Sequence, residues 1–159
     1  MKTFQLAKWS QARIWMEQDP FDGSPRPSSA AVELLVPRGP RSEYGLLGAI
    51  AKPGPRHTVS IACAEDAGAW RESLAGAGDE VRRGLPDEYR EYVRREGHQA
   101  ARGSSLDGTV AYEWAAHGAI GSSSAMFGRL AALVVKMLDN RERLNDDDFL
   151  RELLEDAAR

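Results

Sequence analysis

The stretch TVAYEWAAHGAIGSSSAMFGRLAALVVKML, residues 109–138, decides the fold. Over 109–116 apolar side chains alternate, with Val110, Tyr112 and Trp114 assigned to one face, the period of a half-buried strand. From Met126 the period changes. Met126/Phe127, Leu130, Leu133/Val134 and Met137/Leu138 recur at helical spacing and form one apolar stripe. Residues 117–121 between them form a loop, and Ser122, Ser123 and Ser124 are successive candidates for the helix N-cap. A strand leading directly into an amphipathic helix predicts a sheet with a helix laid against it.

Upstream lies a second helix that begins near Pro86, where the missing N–H costs nothing. Asp87 and Glu88 at its start, and Arg94, Arg95, His98 and Arg102 towards its end, complement the helix dipole. Gly103 closes it. Three further strands are read before it. Residues 31–36 alternate Val32, Leu34 and Val36; 44–51 are short and apolar; 57–64 place Val59, Ile61 and Cys63 on one face. The turn at 37–42 carries Arg38 and Arg41, Pro53-Gly54-Pro55 ends the next strand, and 68–78 read as small and flexible. Residues 1–18 suggest one or two strands, and 19–29, with Pro20, Gly23, Pro25 and Pro27, a loop. Residues 145–158 make a last amphipathic helix. Asn145 is its expected cap, Asp146 to Asp148 sit at its positive end, and Phe149, Leu150, Leu153 and Leu154 form its stripe.

The order is strands, helix, strand, helix, helix, with no internal repeat. It predicts a single α+β domain over 1–159: a two-layer sandwich, mostly a four-stranded sheet backed by two helices, plus an extra C-terminal helix. The core would span 30–138, with 1–29 unassigned. At 159 residues, 42% hydrophobic and 28% charged, the chain is long and apolar enough to bury a core without staples. The single cysteine, Cys63, excludes an intramolecular disulfide and a multi-thiolate metal site, and its position on a strand's apolar face predicts a buried, inert thiol. No apolar run approaches a membrane span, so a cytoplasmic location is expected. A net charge of −3 argues against broad nucleic-acid binding and leaves room for a local basic patch. Arginine outnumbers lysine 17 to 4, which suits phosphate recognition and equally reflects a GC-rich genome.

Three segments, in order, resemble domain IV of elongation factor G, the ribosomal translocase. Gly39-Pro40-Arg41-Ser42-Glu43-Tyr44-Gly45 is similar to the Gly-Arg-Gly-Gln-Tyr-Gly tip loop of that domain. Gly84-Leu85-Pro86-Asp87-Glu88-Tyr89 is similar to the Gly-Ile-Pro-x-Glu-Tyr that opens its first helix. Ile120-Gly121-Ser122-Ser123-Ser124-Ala125-Met126-Phe127 is similar to the Val-Asp-Ser-Ser-Glu-x-Ala-Phe that opens its second. The resemblance covers residues 30–138 and implies a sheet backed by two helices with a left-handed β-α-β crossover. It also implies a freestanding, non-catalytic binding module that contacts the ribosome or structured RNA through two tip loops. Arg38, Arg41 and Tyr44 would come from one loop, and His117, Gly118 and Gly121 from the other. The chain departs from the family in lacking any nucleotide-binding Gly-x-x-x-x-Gly-Lys motif, in having Gly121 where an acid precedes the serines, and in Pro40.

Two alternatives stand beside this. The first is a protein–protein or self-association domain that kept the fold without RNA binding. Its interface would be the stripe from Phe149 to Leu154 and the N-terminal tryptophan segment. The second is a phosphate or nucleotide binder. Residues 118–125 also resemble the glycine–serine phosphate loop of small-metabolite kinases of the galactokinase and homoserine kinase type, and Ser122, Ser123 and Ser124 would hold an anion at the helix start. His57, His98 and His117 are too widely spaced for a metal site, and no elbow or acid makes a hydrolase of the serines. No catalytic residue, metal or cofactor is therefore expected. Trp114 is expected in the core, and Trp70, in a small-residue loop, on an exposed contact surface.

Overall fold

The computed structural model describes all 159 residues. Its seven strands form one mixed sheet: β1 (Lys2–Gln5), β2 (Gln11–Gln18), β3 (Pro25–Arg38), β4 (Arg41–Lys52), β5 (Thr58–Ile61), β6 (Val81–Arg83) and β7 (Thr109–Gly118). The order is β1-β2-β3-β4-β7-β5, with β6 also pairing β7 beyond the end of β5. β1 to β4 form an antiparallel meander, β4 pairs antiparallel with β7, and β5 pairs parallel with it. Parallel neighbours need a crossover, and α1 (Asp87–Arg102) lies within it. α2 (Ser124–Asp139) and α3 (Asp147–Ala158) complete the chain. The order read from the sequence is present, in a sheet wider than four strands because the N-terminal segment adds β1 and β2. No helix is long and apolar enough to cross a membrane.

All three helices cover one face. Ile14 of β2, Val32 and Leu34 of β3, Leu47 of β4 and Tyr112 of β7 meet Val93 of α1, Phe127 and Leu130 of α2, and Leu150 and Leu154 of α3 in one cluster. Gly45 lets α2 approach the sheet, since a Cβ there would lie 2.9 Å from a Leu130 methyl. The stripe of α3 is therefore buried against its own sheet, with only Phe149 and Leu153 half-exposed.

The other face carries a second, smaller cluster of Trp15, Ala31, Tyr44, Leu46, Trp70, Val81, Trp114 and Ala116. Its lid is the segment between β5 and β6. That segment pairs with β6 through Ala67 and Trp70, crosses to β2, where Arg13 Nη2 donates to Glu72 O at 2.7 Å, and returns along β3 at Leu74. Beneath it Glu33 is fully buried. Its carboxylate accepts from Arg13 Nε (2.7 Å), Tyr44 Oη (2.9 Å) and Leu74 N (2.8 Å). Desolvation pushes the Glu33 carboxyl above the usual glutamate range, against the pull of the Leu74 amide and the Arg13 guanidinium.

Several local expectations are corrected. Trp114 does not share a face with Val110 and Tyr112. Gly48 and Ala49 of β4 oppose Trp114 and Tyr112, so Glu113 is a bulged extra residue that turns the rest of β7 over. Trp70 is buried, while Trp9 is exposed. β3 begins at Pro25 rather than after residue 29. Its first residues extend beyond the pairing with β4, which ends at Ser29–Ile50, and Pro25 is matched only with Gln18 of β2, past the irregularity at Met16–Gln18, where the missing N–H is tolerated. The cap of α3 is Asp146, whose side chain accepts from Asp148 N and Phe149 N, rather than Asn145.

Candidate functional site

The antiparallel meander puts alternate connections at opposite ends of the sheet. The β1–β2 turn, the β3–β4 turn and the loop leaving β7 all fall at one pole. The β3–β4 turn is two residues, Gly39-Pro40, closed by the pair Arg38–Arg41. Gly39 has φ +65°, which its lack of Cβ allows, and Pro40 holds a negative φ, the sign pattern of a type II′ hairpin.

The hairpin and the loop after β7 are bound to each other. Tyr44 N donates to Gly121 O (3.0 Å), and Ser122 Oγ donates to Tyr44 O (2.7 Å) while accepting from Gly118 N (2.9 Å). Gly121 is required by this close approach: a Cβ would lie 2.4 Å from Ser42 O. Ser123 caps α2 by accepting from Met126 N, and Ser124 is the helix's first residue. The tip of the lid joins them through Asp79, whose carboxylate accepts from Ile120 N (3.0 Å) and Gly121 N (2.8 Å). Together these segments enclose a cleft of about 440 Å³ lined by Leu35, Arg41, Tyr44, Asp79 and Ile120 among others.

The residues singled out from the sequence separate into two groups. Arg41 is exposed at the cleft rim and has neither an ion pair nor a hydrogen bond. Gly118, Gly121 and Ser122 build the loop's frame. The others face inward. Arg38 turns to the helical face, where it donates to Ala158 O and Arg159 O at the end of α3 and pairs with Glu43. Tyr44 is fully buried on Glu33. His117 belongs to β7, and the bulge at Glu113 sends it to the helical side, where its Nδ1 lies 2.9 Å from Gly84 O.

In the loop of the anion reading, the amides of 118–121 have internal partners. Gly118 N is taken by Ser122 Oγ, Ala119 N by Glu80 O, and Ile120 N and Gly121 N by Asp79. The Asp79 carboxylate therefore supplies the negative charge for the two amides that precede Ser122.

Two exposed apolar residues of the pole fall in segments the sequence singled out, the N-terminal tryptophan segment and the loop 117–121, without being picked as site residues themselves. Trp9 is 83% exposed and Ile120 63%; Met1 and Tyr92 are the other exposed large apolar side chains. Trp9 lies in the β1–β2 turn, which abuts Val36, Pro37 and Arg38 at the end of β3. Lys8 beside it is exposed and has no acidic partner. An N-terminal tryptophan followed by a polar residue gives no signal of exposure in the sequence; in the structure Lys8 and Trp9 both take positive φ. Lys8, Trp9, Arg41 and Ile120 thus form a row across the pole, three strand spacings or about 14 Å from the first turn to the last loop.

No family model matches the chain, and no curated protein or solved structure matches it at significant similarity.

Proposed function

We propose that this chain is a non-catalytic binding module whose strand-turn pole contacts RNA, with the ribosome as one such partner. The observation that carries the reading is the convergence of three separate connections at one pole, where Arg41 and Lys8 remain without counter-ions. Arg71, Arg102 and Lys136 are likewise exposed without an ion pair, and what sets Lys8 and Arg41 apart is that both stand on turns at the pole where the connections converge. Guanidinium and ammonium groups at fixed positions suit phosphate contacts, which orient a nucleic acid without reading its sequence. The resemblance to elongation factor G domain IV, whose tip loops serve the same end, supports this reading.

The contact set is small, and that fixes its salt dependence. Two cations on a single strand give a log–log slope of about −1.4. Binding of fluorescently labelled RNA, read by anisotropy between about 50 and 200 mM salt, should follow that slope and weaken roughly sevenfold across the range. Arg41→Ala should lower affinity on all sequences alike and reduce the slope by about 0.7. Wild-type protein that binds no RNA at the lowest salt, or an Arg41→Ala variant indistinguishable from it, would overturn the proposal.

A further inference from the structure

Lys8 and Trp9 have φ of 54° and 65°, two consecutive residues with side chains in the left-handed region. Such a conformation persists only where its surroundings impose it. Here they do. Leu6 and Ser10, on either side, are buried; Leu6 N donates to Ser10 O (2.8 Å) and Ser10 N to Ala7 O (3.2 Å). Gln5 Nε2 donates to Ser10 O (3.2 Å). α3 braces the turn from outside: Glu155 Oε1 accepts from Ala7 N (2.8 Å), and Arg151 Nη1 donates to Gln5 O (2.7 Å). Five hydrogen bonds brace the frame, yet its product is an indole 83% exposed to water. The other three tryptophans, Trp15, Trp70 and Trp114, are buried. Packing gives no account of Trp9.

We infer that Trp9 is a base-stacking platform, and that the RNA taken by the pole is single-stranded, with an unpaired base laid on the indole. This rests on the RNA reading above and names the form of the ligand. An indole held in place in advance loses little freedom on binding. Any base offers it a π-face, so the contact tolerates sequence. A duplex keeps its base faces stacked inside and has none to offer. Lys8, adjacent in the chain and without an acidic partner, is placed for the phosphate next to that base, and Arg41 for one farther along the strand. A protein partner would need an apolar pocket for the indole; Lys8 and Arg41 in the same row, though Glu155 and Asp79 lie nearby engaged with backbone amides, favour an anionic ligand instead.

The strain supplies a test that separates stacking from structure. Glycine adopts the left-handed region freely. Trp9→Gly should therefore keep or raise the Tm while losing affinity, whereas a residue needed only for folding would lose both together. The ligands are oligouridylate and oligoadenylate of about ten nucleotides and a duplex of the same length. Affinity is read by anisotropy, and the indole directly by quenching of the exposed tryptophan's emission. Both single strands should bind and quench, and the duplex should bind more weakly without quenching. Trp9→Ala and Trp9→Gly should each lose about 5- to 150-fold in affinity, the size of one removed base–aromatic stack, with Trp9→Phe in between.

If the Trp9 variants bind as wild type while Arg41→Ala is weakened, the platform is refuted and the RNA reading stands. Equal binding of duplex and single strands refutes the platform as well. If no RNA binds, both fail. If Trp9→Gly abolishes self-association and leaves RNA affinity unchanged, the turn is a protein contact and the inference is wrong.

Discussion

Glu33 is the strut that holds the lid to the sheet, and Glu33→Ala should be among the most damaging single changes in the molecule. Three donors converge on this carboxylate from three elements: Arg13 of β2, Tyr44 of β4 and Leu74 of the lid. Alanine leaves the buried Tyr44 hydroxyl and the Leu74 amide without acceptors, at about 1–3 kcal/mol for each unsatisfied buried group. It also leaves Arg13, only 15% exposed, without its counter-ion. Removing one partner of a buried pair costs about 3–5 kcal/mol, and water entering the vacated space keeps the total near that range. For a domain of this size that corresponds to roughly 6–20 °C in Tm. Urea unfolding followed by tryptophan fluorescence gives the free energy, and amide exchange should show Leu74 and its neighbours opening before the sheet. A loss below about 1 kcal/mol would refute the strut, since it would mean that the three donors are served as well by solvent.

The remaining predictions concern titration, the thiol and the loop. Because burial raises the Glu33 carboxyl in the folded state, its contribution to stability is fully present below the usual glutamate range and is lost as pH rises through the raised value. The difference in unfolding free energy between wild type and Glu33→Gln should therefore move against wild type as pH rises through that window; a flat difference would contradict the shift. Cys63, buried with its Sγ 3.4 Å from Tyr112 O, has its thiol pushed up to about 12 by desolvation. It should react with a disulfide reagent far more slowly in the native protein than in denaturant, and equal rates would show that the segment following β5 is open. Nucleotides and sugar phosphates should give no thermal shift through the amides of 118–121, which are already engaged; a clear stabilisation would mean that Asp79 yields to an external anion or that the start of α2 takes one. Asp79→Ala should cost about 1 kcal/mol by removing the acceptor of the Ile120 and Gly121 amides, which water can partly replace at this exposed loop.

The elements were legible where local chemistry governs them. Period, caps and charge bias placed α1 and α2 close to their bounds, and alternation placed the central strands. What escaped was decided by neighbours distant in sequence. The bulge at Glu113 depends on the register with β4 and reverses the faces of Trp114 and His117. Trp70 is buried because the lid crosses the sheet, which a run of small residues does not announce. Nothing in PRGPRSEY shows that Arg38 would turn to the last helix while Arg41 stayed free. The convergence of the hairpin with the loop after β7 follows from an antiparallel path; which side chains that pole exposes does not.

The brace between the β1–β2 turn and α3 has a consequence for biosynthesis. Ala7 and Glu155 are 148 positions apart, so the turn waits for an acceptor translated long after it. At about 5–20 residues per second, a nascent chain carries its first strands for several seconds before residue 155 is made. During that interval the indole's mount is incomplete, and the pole matures only once the last helix has emerged and docked.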